Sequence, residues 1–283
     1  LVKGQFSIRM WLLKISRRLL ALSAQFNLNN MLDLTKNIII EVKNLDKTFT
    51  VKSSFVPVLK GVNLEIKKGE FIIITGPSGC GKSTLLHILL GLELPTTGSV
   101  VFLGHNLYNN MSEDERTEVR KKDVGMIYQQ PNWIKAFTVL ENVMFSLRIN
   151  GEIDKIAREK ASAVLTMVGM DKWQDYIPTE LSSGQQQKVA LARAVVTNPQ
   201  IIIADEPTGN LDFKSGQELM ELLKKLSGEG RTIIMVTHDL EYLTFATRSL
   251  IMFDGQVVGE AHGKDLAGKL EGFKKLMAAV TKQ

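Results

Sequence analysis

Phe71-Ile72-Ile73-Ile74-Thr75-Gly76-Pro77-Ser78-Gly79-Cys80-Gly81-Lys82-Ser83-Thr84 carries a short apolar run straight into the pattern G-x-x-x-x-G-K-S/T. In that pattern a loop turns successive N–H groups inward on phosphate oxygens, at the positive end of the helix that follows. The expected phosphate cradle is therefore Gly76, Pro77, Ser78, Gly79, Cys80, Gly81, Lys82, Ser83 and Thr84. Gly76 and Gly81 let the backbone turn without a Cβ clash, and Lys82 adds a charge for the β- and γ-phosphates. Ser83 offers a hydroxyl to Mg2+, a hard ion that prefers oxygen ligands and arrives with the phosphates it neutralises. Ile72–Ile74 suit a strand buried on both faces, and Leu85, Leu86, Ile88, Leu89 and Leu90 recur at helical spacing, so the loop joins a strand to a helix.

The composition fits one large α/β domain or a core with an inserted lobe: 283 residues, 44% hydrophobic and 23% charged. No stretch approaches the roughly eighteen uncharged apolar residues of a membrane span. The net charge of +5 is concentrated at one end, because Lys3, Arg9, Lys14, Arg17 and Arg18 fall in the first 30 residues, which hold no acid. Removing those five bases from 35 leaves 30 against 30 acids, so no nucleic-acid partner is expected. Cys80 is the only cysteine, which excludes an intrachain disulfide and a cysteine zinc cluster. It reads as a small structural residue of the loop.

Residues 1–35 read as an extension, either a basic amphipathic helix with Ile8, Trp11, Leu12, Ile15, Leu19 and Leu22 on one stripe or a disordered tail ahead of Met31. Ile38–Val62 alternates apolar runs with turns, as antiparallel strands do. Residues 130–180 turn helical, with Ile156, Ala163, Val164, Met167 and Val168 among the apolar positions, and form an inserted lobe. A helix around Leu219–Leu226, a strand at Thr232–Val236 and a hairpin turning at Asp254-Gly255 resume the α/β alternation. Residues 262–283 read as a C-terminal helix.

Ile201-Ile202-Ile203-Ala204-Asp205-Glu206 is an apolar strand ending in two acids. Asp205 suits the Mg2+ shell of a phosphate-loop enzyme, and Glu206, pointing the other way along the chain, suits the orientation or deprotonation of water. His238 follows the strand Ile233–Thr237 at the equivalent place and can reach a γ-phosphate. His87, His105 and His262 read as structural.

Leu181-Ser182-Ser183-Gly184-Gln185-Gln186-Gln187-Lys188 resembles the signature motif of ATP-binding cassette (ABC) proteins. Tyr128-Gln129 resembles the Q-loop of that family, Gly209-Asn210-Leu211-Asp212 its D-loop and Thr237-His238-Asp239 its H-switch, all in the family's order. The resemblance covers about Ile38 to Val258 and implies a P-loop NTPase core with an antiparallel β subdomain and an inserted α-helical subdomain, at about 130–185 within a cassette of 36–261. It also implies that Phe49 stacks on adenine and that Gln129 touches the metal or water beside Lys82, Glu206 and His238. Ser182, Gly184 and Gln185 are implied to meet the ATP of a second cassette paired head to tail. At Ser183 the common motif has glycine; serine supplies the same N–H, and would cost about 1–2 kcal/mol only if φ is positive there.

The implied function is an ATP-hydrolysing subunit that dimerises and drives a separate integral membrane permease from the cytoplasmic face of the membrane. Residues 105–147, including Met111-Ser112-Glu113, Val124-Gly125-Met126 and Thr138–Val143, resemble the subgroup of lipoprotein release, macrolide and peptide export and cell division. The other reading is a soluble cassette of DNA repair or translation; the single cassette and the lack of cysteine pairs weigh against it. The permease is expected to dock near Gln129–Trp133, where Trp133 is either its anchor or part of the lobe core.

Overall fold

The computed structural model describes residues 37–109, 111–263 and Gly272. The N-terminal extension and nearly all of the C-terminal helix expected from sequence lie outside the described residues; His262 belongs to a strand instead.

Two sheets share one helix between them. The first is antiparallel, built from β1 (Ile38–Val51), β2 (Ser54–Lys67), β4 (Thr97–Phe102) and the short β5 (His105–Asn106), in the order β2-β1-β4-β5. The second contains β3 (Phe71–Thr75), β6 (Val124–Tyr128), β7 (Ile201–Asp205), β8 (Thr232–Thr237), β9 (Arg248–Phe253) and β10 (Gln256–His262), in the order β10-β9-β3-β8-β7-β6. Its strands run parallel except for the edge strand β10. The hairpin joining β9 to β10 turns at Asp254 and Gly255, both with positive φ (45° and 78°), as a two-residue turn demands.

Because side chains alternate along a strand, the central strands feed two cores. Ile72 and Ile74 of β3, with Ile234 and Val236 of β8, join the antiparallel sheet and the buried face of α1 (Lys82–Leu89). Phe71, Ile73, Ile233 and Met235 point the other way, into a core shared with α3 (Val139–Ile149), α4 (Asp154–Met167), α5 (Ser183–Val195) and α6 (Phe213–Gly228). These strands are buried on both faces, which is why they read as unbroken apolar runs.

Three local details go beyond what was read from the sequence. The helix α2 (Glu113–Asp123) is a surface helix with no buried residue, which leaves no apolar stripe to detect. Its start was nevertheless written in the sequence as a capping box: Ser112 Oγ accepts from Glu115 N and the Glu115 carboxylate accepts from Ser112 N. The lobe's first helix begins only at Val139, fixed by the same device between Thr138 and Glu141. On α4 the buried stripe is Ala157, Ala161 and Leu165, while Ile156 and Ala163 face solvent.

Candidate active site

The register of the parallel sheet gathers the site. Thr75 pairs with Thr237, Tyr128 with Asp205, and Asp205 with Val236, so β3, β6, β7 and β8 end at one level. The residues just beyond those ends are the phosphate loop, Gln129, Glu206 and His238. Ligands of open parallel sheets sit in this position, outside the carboxyl ends of the strands.

A cleft of about 400 Å3 lies there, lined by Val58, Ser78, Gly79, Lys82, Ser83, Thr84, Gln129, Glu206 and His238, with Gly81 completing the wall. Gly81 is the N-cap of α1 at φ 104°, a left-handed conformation that a side chain resists. No side chain caps this helix and its first turn holds no acid, so its N–H groups stay open to an anion. Lys82 is buried, and its Nζ donates to the carbonyls of Gly76 and Pro77 at 2.8 and 2.9 Å. Those carbonyls hold the ammonium at the loop, within reach of a phosphate entering the cleft.

The predicted cradle divides accordingly. Ser78, Gly79, Gly81, Lys82, Ser83 and Thr84 face the cleft; Gly76 and Pro77 contribute carbonyls to Lys82. Cys80 is buried under the loop, where burial pushes its thiol pKa up and so disfavours the reactive thiolate.

Ser83 Oγ donates to Asp205 Oδ1 at 3.4 Å. Burial raises the Asp205 pKa, the neighbouring Glu206 charge adds to it, and Ser83, His87 and Lys82 oppose it. A carboxylate disfavoured in this way, beside a serine hydroxyl, is suited to Mg2+, and Gln129 lines the same cleft as that serine. Among the described residues no group of three or more His, Cys, Asp or Glu could hold a metal by itself.

Glu206 has φ 48°, unusual for a residue with a side chain. The turn is pinned by Glu206 N donating to Val236 O (2.9 Å) and Gly209 N donating to Glu206 O (3.1 Å). Its Oε2 lies 2.6 Å from His238 Nδ1. With a carboxylate as acceptor Nδ1 carries the proton, so Nε2 donates to a phosphate only when the ring is doubly protonated. Behind it, Thr237 Oγ1 accepts from Asp239 N and fixes the turn that carries the histidine.

The signature segment forms the start of α5. Ser182 is its N-cap, with Ser182 Oγ accepting from Gln185 N (3.3 Å) and Gln185 Oε1 accepting from Ser182 N (2.9 Å). The Ser182 O–H remains available to donate. Ser183 is the first residue of the right-handed helix and is absent from the positive-φ residues, so the departure from glycine carries no strain. Ser183→Gly is accordingly expected to leave ATP turnover within about two-fold, and to lower stability by at most about 0.5 kcal/mol through lost helix propensity. A turnover assay with a thermal melt checks both. Gly184 is buried, and a Cβ there would stand 2.6 Å from Ser215 Oγ, on the helix whose N-cap is Asp212. Packing within the chain therefore requires glycine there.

Two sequence expectations stand away from the cleft. Phe49 does not line it; its ring lies on β1 opposite Val56, with Lys47 Nζ 4.5 Å from its centroid. Trp133 packs against the lobe core, with Nε1 donating to Gln186 Oε1 (2.9 Å) and Arg193 over its ring at 4.7 Å. Sequence reasoning missed the exposed apolar residues beside it. Phe145 and Ile149 are 37% and 50% exposed and line a groove of about 540 Å3 with Tyr128, Asn132, Ile134 and Arg193.

A family model described as ABC transporter matches residues 59–209, more than half of the chain. The chain belongs to the ABC transporter family. This cassette is 47% identical over 219 residues to the ABC transporter ATP-binding protein MJ1508 of Methanocaldococcus jannaschii, covering 77% of the chain and 97% of that relative. It is 42% identical over 224 residues to the macrolide export ATP-binding/permease protein MacB of Chlorobium phaeobacteroides, covering 79% of the chain but only 34% of MacB. Among solved structures, the dimeric post-hydrolysis state of the cassette MJ0796 bound to ADP and Pi matches with a TM-score of 0.74 and 40% identity, over 79% of the chain and 98% of that structure. The cassette is therefore an ABC transporter ATP-binding subunit and an ATPase, as its motifs implied. These relatives favour transport over the DNA-repair or translation reading.

Proposed function

We propose that the cassette hydrolyses MgATP in a site completed by a second copy of the chain, and passes the resulting closure to a membrane permease. The observation that carries this is the meeting of Gln129, Glu206 and His238, from three strand ends, opposite an uncapped helix N-terminus and Lys82.

In this reading the phosphate loop N–H groups and Lys82 hold the β- and γ-phosphates. Ser83, Asp205 and Gln129 would hold Mg2+, which supplies charge neutralisation on the phosphate oxygens. Glu206 takes the proton of water as its oxygen attacks the γ-phosphorus and the bond to the β–γ bridging oxygen breaks, with that oxygen leaving on ADP. His238 steadies Glu206 through Nδ1–H and donates from Nε2 to the γ-phosphate when protonated. Phe49 would hold the adenine beyond Val58. Ser182 and the N–H groups of Ser183 and Gly184 at the start of α5 would meet the γ-phosphate bound by the other copy, with Gln185 closing the cap that holds Ser182 in place. The dimeric MJ0796 structures support that pairing.

The membrane partner is assigned to the groove of Tyr128, Phe145 and Ile149, which begins at the residue before Gln129. Among the described residues no helix is long and apolar enough to cross a membrane, whereas MacB by its name combines an ATP-binding part with a permease. Placement on the cytoplasmic face, and an export or lipoprotein, peptide or macrolide type of cargo, rest on this likeness.

Ile149→Asp tests the assignment. The substitution puts a charge on an exposed position at the end of α3, so the purified cassette should keep its turnover within about two-fold, as surface changes usually do. In cells the parent should sediment with the membrane fraction and Ile149→Asp should not. Retention of Ile149→Asp on membranes would remove the groove from the account.

A further inference from the structure

Gln187 sits two residues past the signature glutamine, and its side chain is nearly fully buried, at 2% exposure. Its Nε2 donates to Tyr128 O and to Gln129 O, each at 3.0 Å. The two N–H bonds of one primary amide are thus spent on two consecutive carbonyls at the end of β6. Two carbonyl partners require a donor, which fixes the orientation of the amide. Its Oε1 is buried and meets no hydrogen-bond donor among the described residues. Burying an amide with one end unsatisfied is costly, by about 1–3 kcal/mol in typical cases, and an apolar residue of the same length would avoid it.

The surroundings show what the amide is placed to do. A cavity of about 330 Å3 opens beside it, lined by Gln129, Ser183, Gln186, Gln187, Asn210 and Leu211. Three motif segments meet there with room to shift, and the Gln187 side chain bridges two of them. Tyr128 O and Gln129 O belong to the main chain that aims the Gln129 amide into the cleft. Gln187 itself stands one turn into the helix whose N-cap is Ser182.

We infer that Gln187 is a positioning residue that locks the main chain bearing Gln129 to the signature helix, so that a nucleotide sensed by Gln129 in one site sets where Ser182 is offered to the other. This rests on the shared-site reading above. Without the two bonds the cassette still binds ATP, but α5 no longer follows the Q-loop, and closure with the second copy is lost in part.

Gln187→Met keeps the length and removes both donors. Turnover should fall at least roughly ten-fold, while ATP affinity measured without Mg2+ stays within about two-fold, a split that a general loss of folding does not produce. In the Glu206→Gln background, Gln187→Met should raise the protein concentration needed for ATP-driven dimerisation by a similar factor. Gln187→Glu faces two carbonyls with a carboxylate; protonation returns one O–H donor, so its turnover relative to the parent should rise as the pH is lowered.

Parent turnover in Gln187→Met, loss of ATP affinity in step with turnover, or a Gln187→Glu pH profile parallel to the parent would each overturn the inference. If Glu206→Gln alone dimerises and the double variant dimerises equally well, only the role of Gln187 fails. If Glu206→Gln alone does not dimerise with ATP, the shared-site reading fails and the inference with it.

Discussion

Glu206→Gln is expected to lower ATP turnover by at least about 100-fold while ATP binding is retained, since removing a positioned general base costs roughly 10²–10⁴-fold. The change is close to isosteric. The φ of 48° is imposed by the bonds from Glu206 N to Val236 O and from Gly209 N to Glu206 O, which glutamine keeps. The side chain can also retain a bond to His238, because an amide oxygen accepts from Nδ1–H as the carboxylate does at 2.6 Å. What glutamine cannot do is take a proton from water. Turnover near the parent value would show that another group is the base and that the Glu206–His238 contact serves structure alone. Phosphate release under saturating MgATP, beside nucleotide binding at equilibrium, separates the two outcomes.

Asp205→Asn is expected to change activity and stability in opposite directions. Hydrolysis should fall by a comparable factor, because Asp205 is the only carboxylate that the account places on Mg2+. The nucleotide-free protein should gain stability at neutral pH, with a higher melting temperature. Burial and the Glu206 charge raise the folded-state pKa of Asp205 above its unfolded value, so the folded protein binds more protons than the unfolded chain across that interval. Stability contributed by this residue is therefore lost as the pH rises through the folded-state pKa, and at neutral pH the charged form is a net cost. Asparagine removes that cost. The gain should shrink as the pH falls toward the ordinary carboxylate value, where aspartate is protonated in both states. Thermal melts across pH check it, and a lower melting temperature for Asp205→Asn at neutral pH would contradict it.

The parts of the cassette that were legible in sequence share a physical cause. Strands β3, β7 and β8 are buried on both faces, so they appear as nearly continuous apolar runs, β3 leading into the phosphate loop and β7 and β8 into Glu206 and His238. A motif contiguous in sequence is then also contiguous in space. Strand β6 is no shorter than β3 or β7 but is less legible, because it carries Gly125 and is only partly buried. The buried stripe on α4 is not decided by sequence, because Ile156 and Ala163 are apolar yet lie on the outward face, and periodicity alone does not say which apolar positions meet a neighbour.

Two features of the site were not recoverable from composition or spacing at all. Gln187 looks like its neighbours Gln185 and Gln186 in sequence, and only the approach of Tyr128 and Gln129 from 58 or 59 positions away distinguishes it. The packing of Gly184 against Ser215 joins the signature to the start of α6, just past the D-loop, and is likewise a long-range contact. By contrast the capping boxes at Ser112, Thr138 and Ser182 are local and could be read directly; they mark where α2, α3 and α5 begin.

The central claim is that one copy of the chain supplies half of each site. Light scattering on Glu206→Gln tests it most directly, with ATP and without, alone and combined with Ser182→Arg. Ser182 is an exposed N-cap that lines no part of its own chain's cleft, so a bulky cation there should leave ATP binding to the monomer intact. ATP is expected to double the mass of Glu206→Gln, and adding Ser182→Arg to return it to the monomer. A Glu206→Gln chain that binds ATP yet stays monomeric, or a dimer indifferent to Ser182→Arg, would contradict it.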